Sequence, residues 1–260
     1  MDASSSGRSI VITGASRGIG AALARHYAQP GTCLGLISRD AEELAAVARA
    51  CEQKGATVHP YVGDVRDSAR MKACARDFMS RTAVVDIVIA NAGIRLEEDE
   101  DVQDTGVARE LVETNYLGTV NTLSPFIPVM KAQRSGRLAV VSSIGAIRAT
   151  PNSGAYSASK AAVNLWTEGL RLRLSPFGVS VTCLCSGFVD TAMTQTLPFW
   201  MPGLLTPEAA ARIIARAVER RRRSVIFPWQ SRLLWQFFAM LPGPLYDSLI
   251  LWAKAHHPHR

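Results

Sequence analysis

Short apolar runs rich in β-branched residues alternate along this chain with longer stretches of helical period. Ser9–Thr13, Cys33–Ser38, Thr57–Gly63, Ile87–Ala90, Arg137–Ser142, Val179–Cys185 and Val225–Phe227 read as strands, since strand-length apolar runs between turn signals suit a sheet buried on both faces. Between them, Gly20–Gln29, Ala41–Lys54, Ser68–Ser80, Gly106–Gln133 and Tyr156–Ser175 read as helices. Thr206-Pro207-Glu208 opens one more, with a capping hydroxyl, Pro in the first turn and an acid behind it, running towards Arg220. The alternation predicts an α/β fold: a doubly wound parallel sheet of about seven strands with helices on both faces.

The pattern changes near residue 228, where a domain 1–228 gives way to an apolar extension 229–260. From Ser231 to Leu241 only Ser231, Arg232 and Gln236 are polar; Pro242-Gly243-Pro244 breaks the run and Leu245–Trp252 resumes it. Each half is too short to span a bilayer and too apolar for a wet surface. A lid on the substrate cleft, a subunit contact or a membrane-surface segment would each satisfy it. Thr196–Pro202, also apolar and aromatic, reads either as a lid or as packing against that tail.

With 260 residues, 48% hydrophobic and 20% charged, the chain can bury a sizeable core in one domain. The net charge of +7 favours an anionic partner: a phosphorylated cofactor, an acidic carrier or a lipid surface. Arg212, Arg216 and Arg220 with Arg221–Arg223 form a basic stripe that would attract anionic headgroups or an acidic carrier, the first three equally readable as a solvated helix face. No nucleic-acid partner is expected. Five cysteines at irregular spacing, Cys33, Cys51, Cys74, Cys183 and Cys185, suit reduced core residues in a cytoplasmic compartment. Met1–Gly7 has no apolar stretch, so a signal peptide is not expected. The acidic run Glu97–Asp101 and the closing His256, His257 and His259 read as solvated segments, and no metal is expected.

Candidate chemistry begins at Thr13-Gly14-Ala15-Ser16-Arg17-Gly18-Ile19-Gly20, which follows the first strand and opens a helix at Ala21. Gly14 permits a tight turn, Gly18 a close backbone approach to a pyrophosphate, and Gly20 close packing of helix on sheet. The helix start offers free N–H groups to an anion. This is the signature of a Rossmann-type fold. The Gly-x-x-x-Gly-x-Gly spacing of Gly14, Gly18 and Gly20, with Asp64-Val65 and Asn91-Ala92-Gly93, resembles the short-chain dehydrogenase/reductase family over roughly residues 8 to 228. The resemblance implies a nicotinamide cofactor held by Gly14, Ser16, Arg17, Gly18, Ile19, Gly20, Ser38, Arg39, Asp64, Val65, Asn91, Ala92 and Gly93, and by Gly187, Val189 and Thr191 beyond the sixth strand. Asp64-Val65 would border the adenine, Gly187 and Thr191 the carboxamide. Where an NAD site carries an acid after the second strand, this chain reads Ser38-Arg39. Arg17 and Arg39 converging on a 2′-phosphate would favour NADP(H), tempered by Asp40.

Ser143 follows a strand, and Tyr156 and Lys160 stand four apart on a helix, so both can face one cleft. A phenol is a poor acid-base group at neutral pH, and a neighbouring cation favours its phenolate. The resemblance gives the roles: Tyr156 donates its proton to a carbonyl oxygen, Ser143 hydrogen-bonds that oxygen, Lys160 holds the nicotinamide ribose and tunes Tyr156, and Asn115 positions a water. Tyr156 and Lys160 thereby also contact the cofactor. One departure is Cys185-Ser186-Gly187, where the family has Pro-Gly; without the fixed φ of proline the loop is expected to loosen.

These readings converge on an NADP(H)-dependent enzyme reducing a lipophilic ketone or aldehyde, a homodimer or homotetramer by resemblance. Two rivals share the fold: an alcohol dehydrogenase, or a reductase of carrier-bound 3-oxoacyl thioesters. A third, of another class, is a non-catalytic NADP(H)-sensing regulator, which would have no need of Ser143, Tyr156 and Lys160 together.

Overall fold

The computed structural model describes residues 7–96, 105–195, 201 and 203–256, with side chains to Ala253. The acidic run Glu97–Asp101, most of Thr196–Pro202 and the histidines His257 and His259 lie outside the described residues.

Seven strands, β1 (Ser9–Thr13), β2 (Cys33–Ser38), β3 (Thr57–Val62), β4 (Ile87–Ala90), β5 (Gly136–Ser143), β6 (Val179–Ser186) and β7 (Ser224–Phe227), form one parallel sheet. Their order is β3-β2-β1-β4-β5-β6-β7. The winding reverses between β1 and β4, which opens a crevice beyond their C-terminal ends, the place where such sheets bind ligands. Helices α1 (Gly18–Tyr27), α2 (Ala41–Glu52) and α9 (Pro207–Glu219) cover one face, sealing Ile12 and Leu36 under Leu23, Leu44 and Ile214. On the other face α3 (Ser68–Arg81) and α7 (Gly154–Leu174) bring Phe78, Val163 and Leu170 onto Val11 and Val88. All five cysteines are free thiols, four of them buried.

The continuous helix expected over Gly106–Gln133 is a chain of short pieces. Helix α4 (Thr105–Leu111) passes into a π turn at Val112–Leu117, then α5 (Gly118–Leu123), a 3₁₀ turn at Ser124–Phe126 and α6 (Ile127–Gln133). Pro125 and Pro128 remove N–H donors from the ladder, which tightens it. The wide turn begins where Asn115 must reach sideways, and π turns commonly mark such sites. A short α8 (Ala192–Gln195) follows β6.

Beyond β7 the chain forms α10 (Trp229–Met240) and α11 (Gly243–His256). The break lies at Leu241-Pro242 alone; Gly243 and Pro244 sit in the first turn of α11, where a missing N–H costs nothing. Among the described residues no helix is long and apolar enough to cross a membrane. Helix α10 stands on the end of β6: Ser231 is buried, and a Cβ on Gly187 would lie 2.0 Å from its Oγ. Helix α11 turns back over the Ile144–Pro151 loop. There the Tyr246 hydroxyl donates to Ala149 O (2.9 Å), and Arg148 donates to Leu241 O (2.7 Å) with its guanidinium 4.9 Å over the Tyr246 ring.

Candidate active site

The cofactor end is a cradle of glycine backbone. Gly14 and Gly18 adopt φ of +66° and +53°, a region open chiefly to glycine. A Cβ on Gly20 would lie 2.0 Å from Gly14 O, and one on Gly18 would lie 3.1 Å from the Thr191 methyl. Helix α1 therefore starts hard against the turn, and the β6–α8 loop closes over it. Asn91 fastens the two sides of the crevice: its Nδ2 donates to Thr13 O (3.0 Å) and Gly14 O (3.3 Å), while Thr13 Oγ1 accepts from the amides of Asn91 and Ala92. Ser38 donates to Ser16 Oγ at 2.9 Å, tying the end of β2 to the same turn. No side chain caps the N-terminus of α1, which leaves its first amides for a ligand. This cradle fits a dinucleotide pyrophosphate.

Arg17 and Arg39, expected to share one phosphate, do not converge. Arg17 is drawn to Glu43 (3.2 Å) and Asp40 (4.0 Å), whereas Arg39 faces Asp64 at 3.8 Å. The cause is local. Asp40 caps α2 by accepting from the Glu43 amide, which puts two carboxylates beside Arg17. Although burial pushes the Asp64 carboxyl up, bonds from Arg66 and the charge of Arg39 hold it below the ordinary carboxylate range. Val65 is buried with its methyl against Gly118 and its carbonyl accepting from Asn121.

At the other end Ser143, Tyr156, Lys160 and Asn115 come together from three segments, β5, α7 and the π turn. Ser143 ends β5 and its Oγ accepts from the Gly145 amide (3.1 Å). Tyr156 lies in the first turn of α7, 8% exposed and hydrogen-bonded to Ser143. Burial raises its pKa; the Ser143 bond and the charge of Arg95 pull the other way. Lys160, one turn on, donates to Val141 O at 3.2 Å, and burial holds its ammonium down to about 8. Its charge is therefore turned towards β5, and the guanidinium of Arg95, 5.4 Å from the Tyr156 ring centroid, is the cation on the phenol. Arg95 is thus a cation beside the phenol that the expected set did not include.

Asn115 is fully buried, accepting from Ile94 N (2.8 Å) and donating to Ile94 O and Ser159 Oγ (both 3.0 Å). Its side chain pins the Gly93–Ile94 segment beyond β4 to α7. A Cβ on Gly93 would sit 3.0 Å from Asn115 Oδ1 and 3.2 Å from Lys160 Nζ. The missing proline does not loosen the β6 end. Ser186 stays in register with Phe227, its Oγ donates to Ser142 O (3.2 Å), and Gly187 N donates to Phe227 O (2.7 Å). Val189 is buried and bridged to Leu205. The sequence reading missed Arg95 and the pair Arg148–Tyr246; the signal for Arg95 was its place two residues past Gly93, at the lip of the crevice.

Residues 8–201 match the family model described as short chain dehydrogenase. A protein of Myxococcus xanthus (strain DK1622) named "Uncharacterized oxidoreductase" is 33% identical over 241 residues, covering 93% of this chain and 95% of its own length. The 11-beta-hydroxysteroid dehydrogenase A of Sesamum indicum is 34% identical, over 89% of this chain and 72% of its own. Among solved structures, a 3-ketoacyl-ACP reductase from Sinorhizobium meliloti 1021 superposes with a TM-score of 0.78 at 29% identity, over 87% of this chain and 99% of its own.

Proposed function

The chain belongs to the short-chain dehydrogenase/reductase family and is an oxidoreductase of that type, and from this premise we propose that it reduces a lipophilic ketone or aldehyde with NADP(H). The observation that carries the reading is the meeting of Tyr156, Ser143 and Lys160 at the crevice whose other side is the glycine cradle. When bound, the nicotinamide supplies or accepts the hydride. Tyr156 Oη delivers a proton to the substrate carbonyl oxygen, and Ser143 Oγ donates a hydrogen bond to that oxygen. Lys160 Nζ, released from Val141 O, holds the cofactor ribose, while Asn115 keeps the Ile94 backbone and α7 in place. The cofactor is further held by Gly14, Gly18 and Gly20 on the pyrophosphate and by the loop from Gly187 to Thr191.

The NADP(H) preference is supported by the weakness of the ion pairs around Arg17 and Arg39. Both side chains are more than half exposed, where such pairs contribute ~0–1 kcal/mol. A phosphate dianion accepting charge-assisted bonds worth about 1.5–3 kcal/mol each outcompetes them. A lipophilic substrate is supported by the apolar α10 beside Gly187 and by α11 over the Ile144–Pro151 loop. The sesame relative's steroid name is consistent with it.

A carrier-bound 3-oxoacyl thioester is the second reading, favoured by the name of the Sinorhizobium neighbour. Arg220–Arg223, which could greet an acidic carrier, lie before the N-terminal end of β7. The cleft opens at the C-terminal ends, so a carrier docked on these arginines would face away from it. The deciding experiment is NADPH oxidation against free carbonyls of graded chain length and against a carrier-bound 3-oxoacyl thioester. Turnover of long free carbonyls supports the first reading, turnover confined to the carrier-bound form supports the second, and no turnover of either overturns both.

A further inference from the structure

The crevice holds a cation that belongs to none of the motifs. Arg95 lies in the segment beyond β4, two residues after Gly93, and its guanidinium carbon lies 5.4 Å from the Tyr156 ring centroid, within the distance at which cation and ring face attract. The ring is otherwise enclosed. Ser143 is hydrogen-bonded to it, and a Cβ on Gly145 would lie 3.6 Å from its Cε1. Among the described residues no carboxylate forms an ion pair with Arg95.

The groups facing Tyr156 differ in how they carry charge. Ser143, from β5, is neutral. Asn115, from the π turn, is neutral and committed to Ile94 and Ser159. Lys160, from α7 itself, is cationic but buried against Val141 O, and with its pKa near about 8 it loses its proton within the working range of an enzyme. A guanidinium keeps its charge at every such pH. Arg95 is therefore a second cation at the phenol, placed across its ring.

We propose that Arg95 is a positioning residue of this active site: lying across the Tyr156 ring, it aims the phenol into the cleft and stabilises its phenolate, which leaves Lys160 free for the cofactor ribose. The inference rests on Tyr156 as the proton-transfer group. A cation beside the ring extends alcohol oxidation, which needs the phenolate, to lower pH, since it eases loss of the proton. It also restrains the ring, so its removal broadens the directions in which the proton is presented.

The test uses the full chain with Arg95→Gln, the uncharged apolar Arg95→Met and the charge-keeping Arg95→Lys. Two readouts are taken: the acidic limb of kcat/KM for alcohol oxidation at saturating NADP⁺, and the near-ultraviolet tyrosinate titration of Tyr156, isolated by subtracting a Tyr156→Phe background. Both midpoints should rise by about one unit in Arg95→Gln and Arg95→Met, a tenfold loss of oxidation efficiency below the limb, with NADPH affinity unchanged, and Arg95→Lys should recover most of it. Unmoved midpoints in folded Arg95→Gln and Arg95→Met overturn the proposal and leave the proposed function standing. If the wild type turns over no alcohol or carbonyl, the proposed function falls, and the tyrosinate titration alone decides the role of Arg95.

Discussion

Tyr156→Phe keeps the ring and its stacking with Arg95 and deletes the hydroxyl that carries the proton. Turnover on any reducible carbonyl should fall by at least 10²–10⁴-fold, as for loss of a general acid, while NADPH fluorescence titration shows binding nearly intact. Near wild-type turnover in this variant would remove Tyr156 from the chemistry. Arg39 is read by a ratio. In Arg39→Asp a second carboxylate joins Asp64 where a 2′-phosphate would sit, so kcat/KM with NADPH should fall far more than with NADH. An unmoved ratio means that Arg39 does not face the phosphate. Lys160 makes itself felt in stability. Burial depresses its pKa to about 8, against an ordinary value of about 10.4. Between these two values the unfolded chain binds the extra proton, so this group's destabilising effect is full below about 8 and is relieved as pH rises. Urea unfolding between pH 8 and 9.5 should therefore show a gain on the order of 1 kcal/mol that Lys160→Met lacks.

Elements explain which parts of this site were legible in the sequence. The strands were readable because a sheet buried on both faces demands uninterrupted apolar runs, and Ser9–Thr13, Cys33–Ser38 and Ile87–Ala90 coincide with β1, β2 and β4. Tyr156 and Lys160 were readable because one helix sets their spacing. What could not be read is long-range: the π turn at Asn115 answers to Ile94 and Ser159, and the docking of α11 answers to Arg148 in a loop nearly a hundred residues upstream. Gly187 shows both sides at once. The family pattern places it beside the nicotinamide, yet its lack of a Cβ is also required by Ser231 of α10. The tail is thus bolted to the cleft at two points, and Arg148→Ala should release the second. Losing a cation–π contact and one charge-assisted bond at a partly exposed site costs about 1–3 kcal/mol. That cost should appear as faster limited proteolysis of α11 and a higher KM for long carbonyls, with NADPH affinity unchanged. An α11 no more sensitive to protease than in the wild type would show that the latch carries no weight.

At the scale of the whole molecule, charge and apolar surface separate to opposite ends of the sheet. Arg220–Arg223 precede β7 and α10 follows it, so the length of the strand, four residues at about 3.3 Å each, stands between them. The arginines therefore stand apart from the tail, whose exposed face is dominated by large apolar side chains. On α10, Trp229, Leu233, Phe237 and Met240 recur at helical spacing and are 53–83% exposed; on α11, Leu245, Leu251 and Trp252 are 56–62% exposed. Side chains of this size gain roughly 1.5–3 kcal/mol each on burial, enough for several together to hold the protein at a lipid interface without crossing it. Because α10 also flanks Gly187, a substrate dissolved in that interface would enter the cleft without passing through water. Full-length protein should co-sediment with liposomes. Replacing Trp229, Leu233, Phe237 and Met240 by serine, all surface positions, should abolish this and impair turnover of long carbonyls more than short ones. Raising the salt should weaken binding little, since few charges flank the stripe. Strong salt dependence would return the arginines to the interface. If the wild type ignores liposomes and the serine variant instead changes its sedimentation from oligomer to monomer, the stripe is a subunit contact.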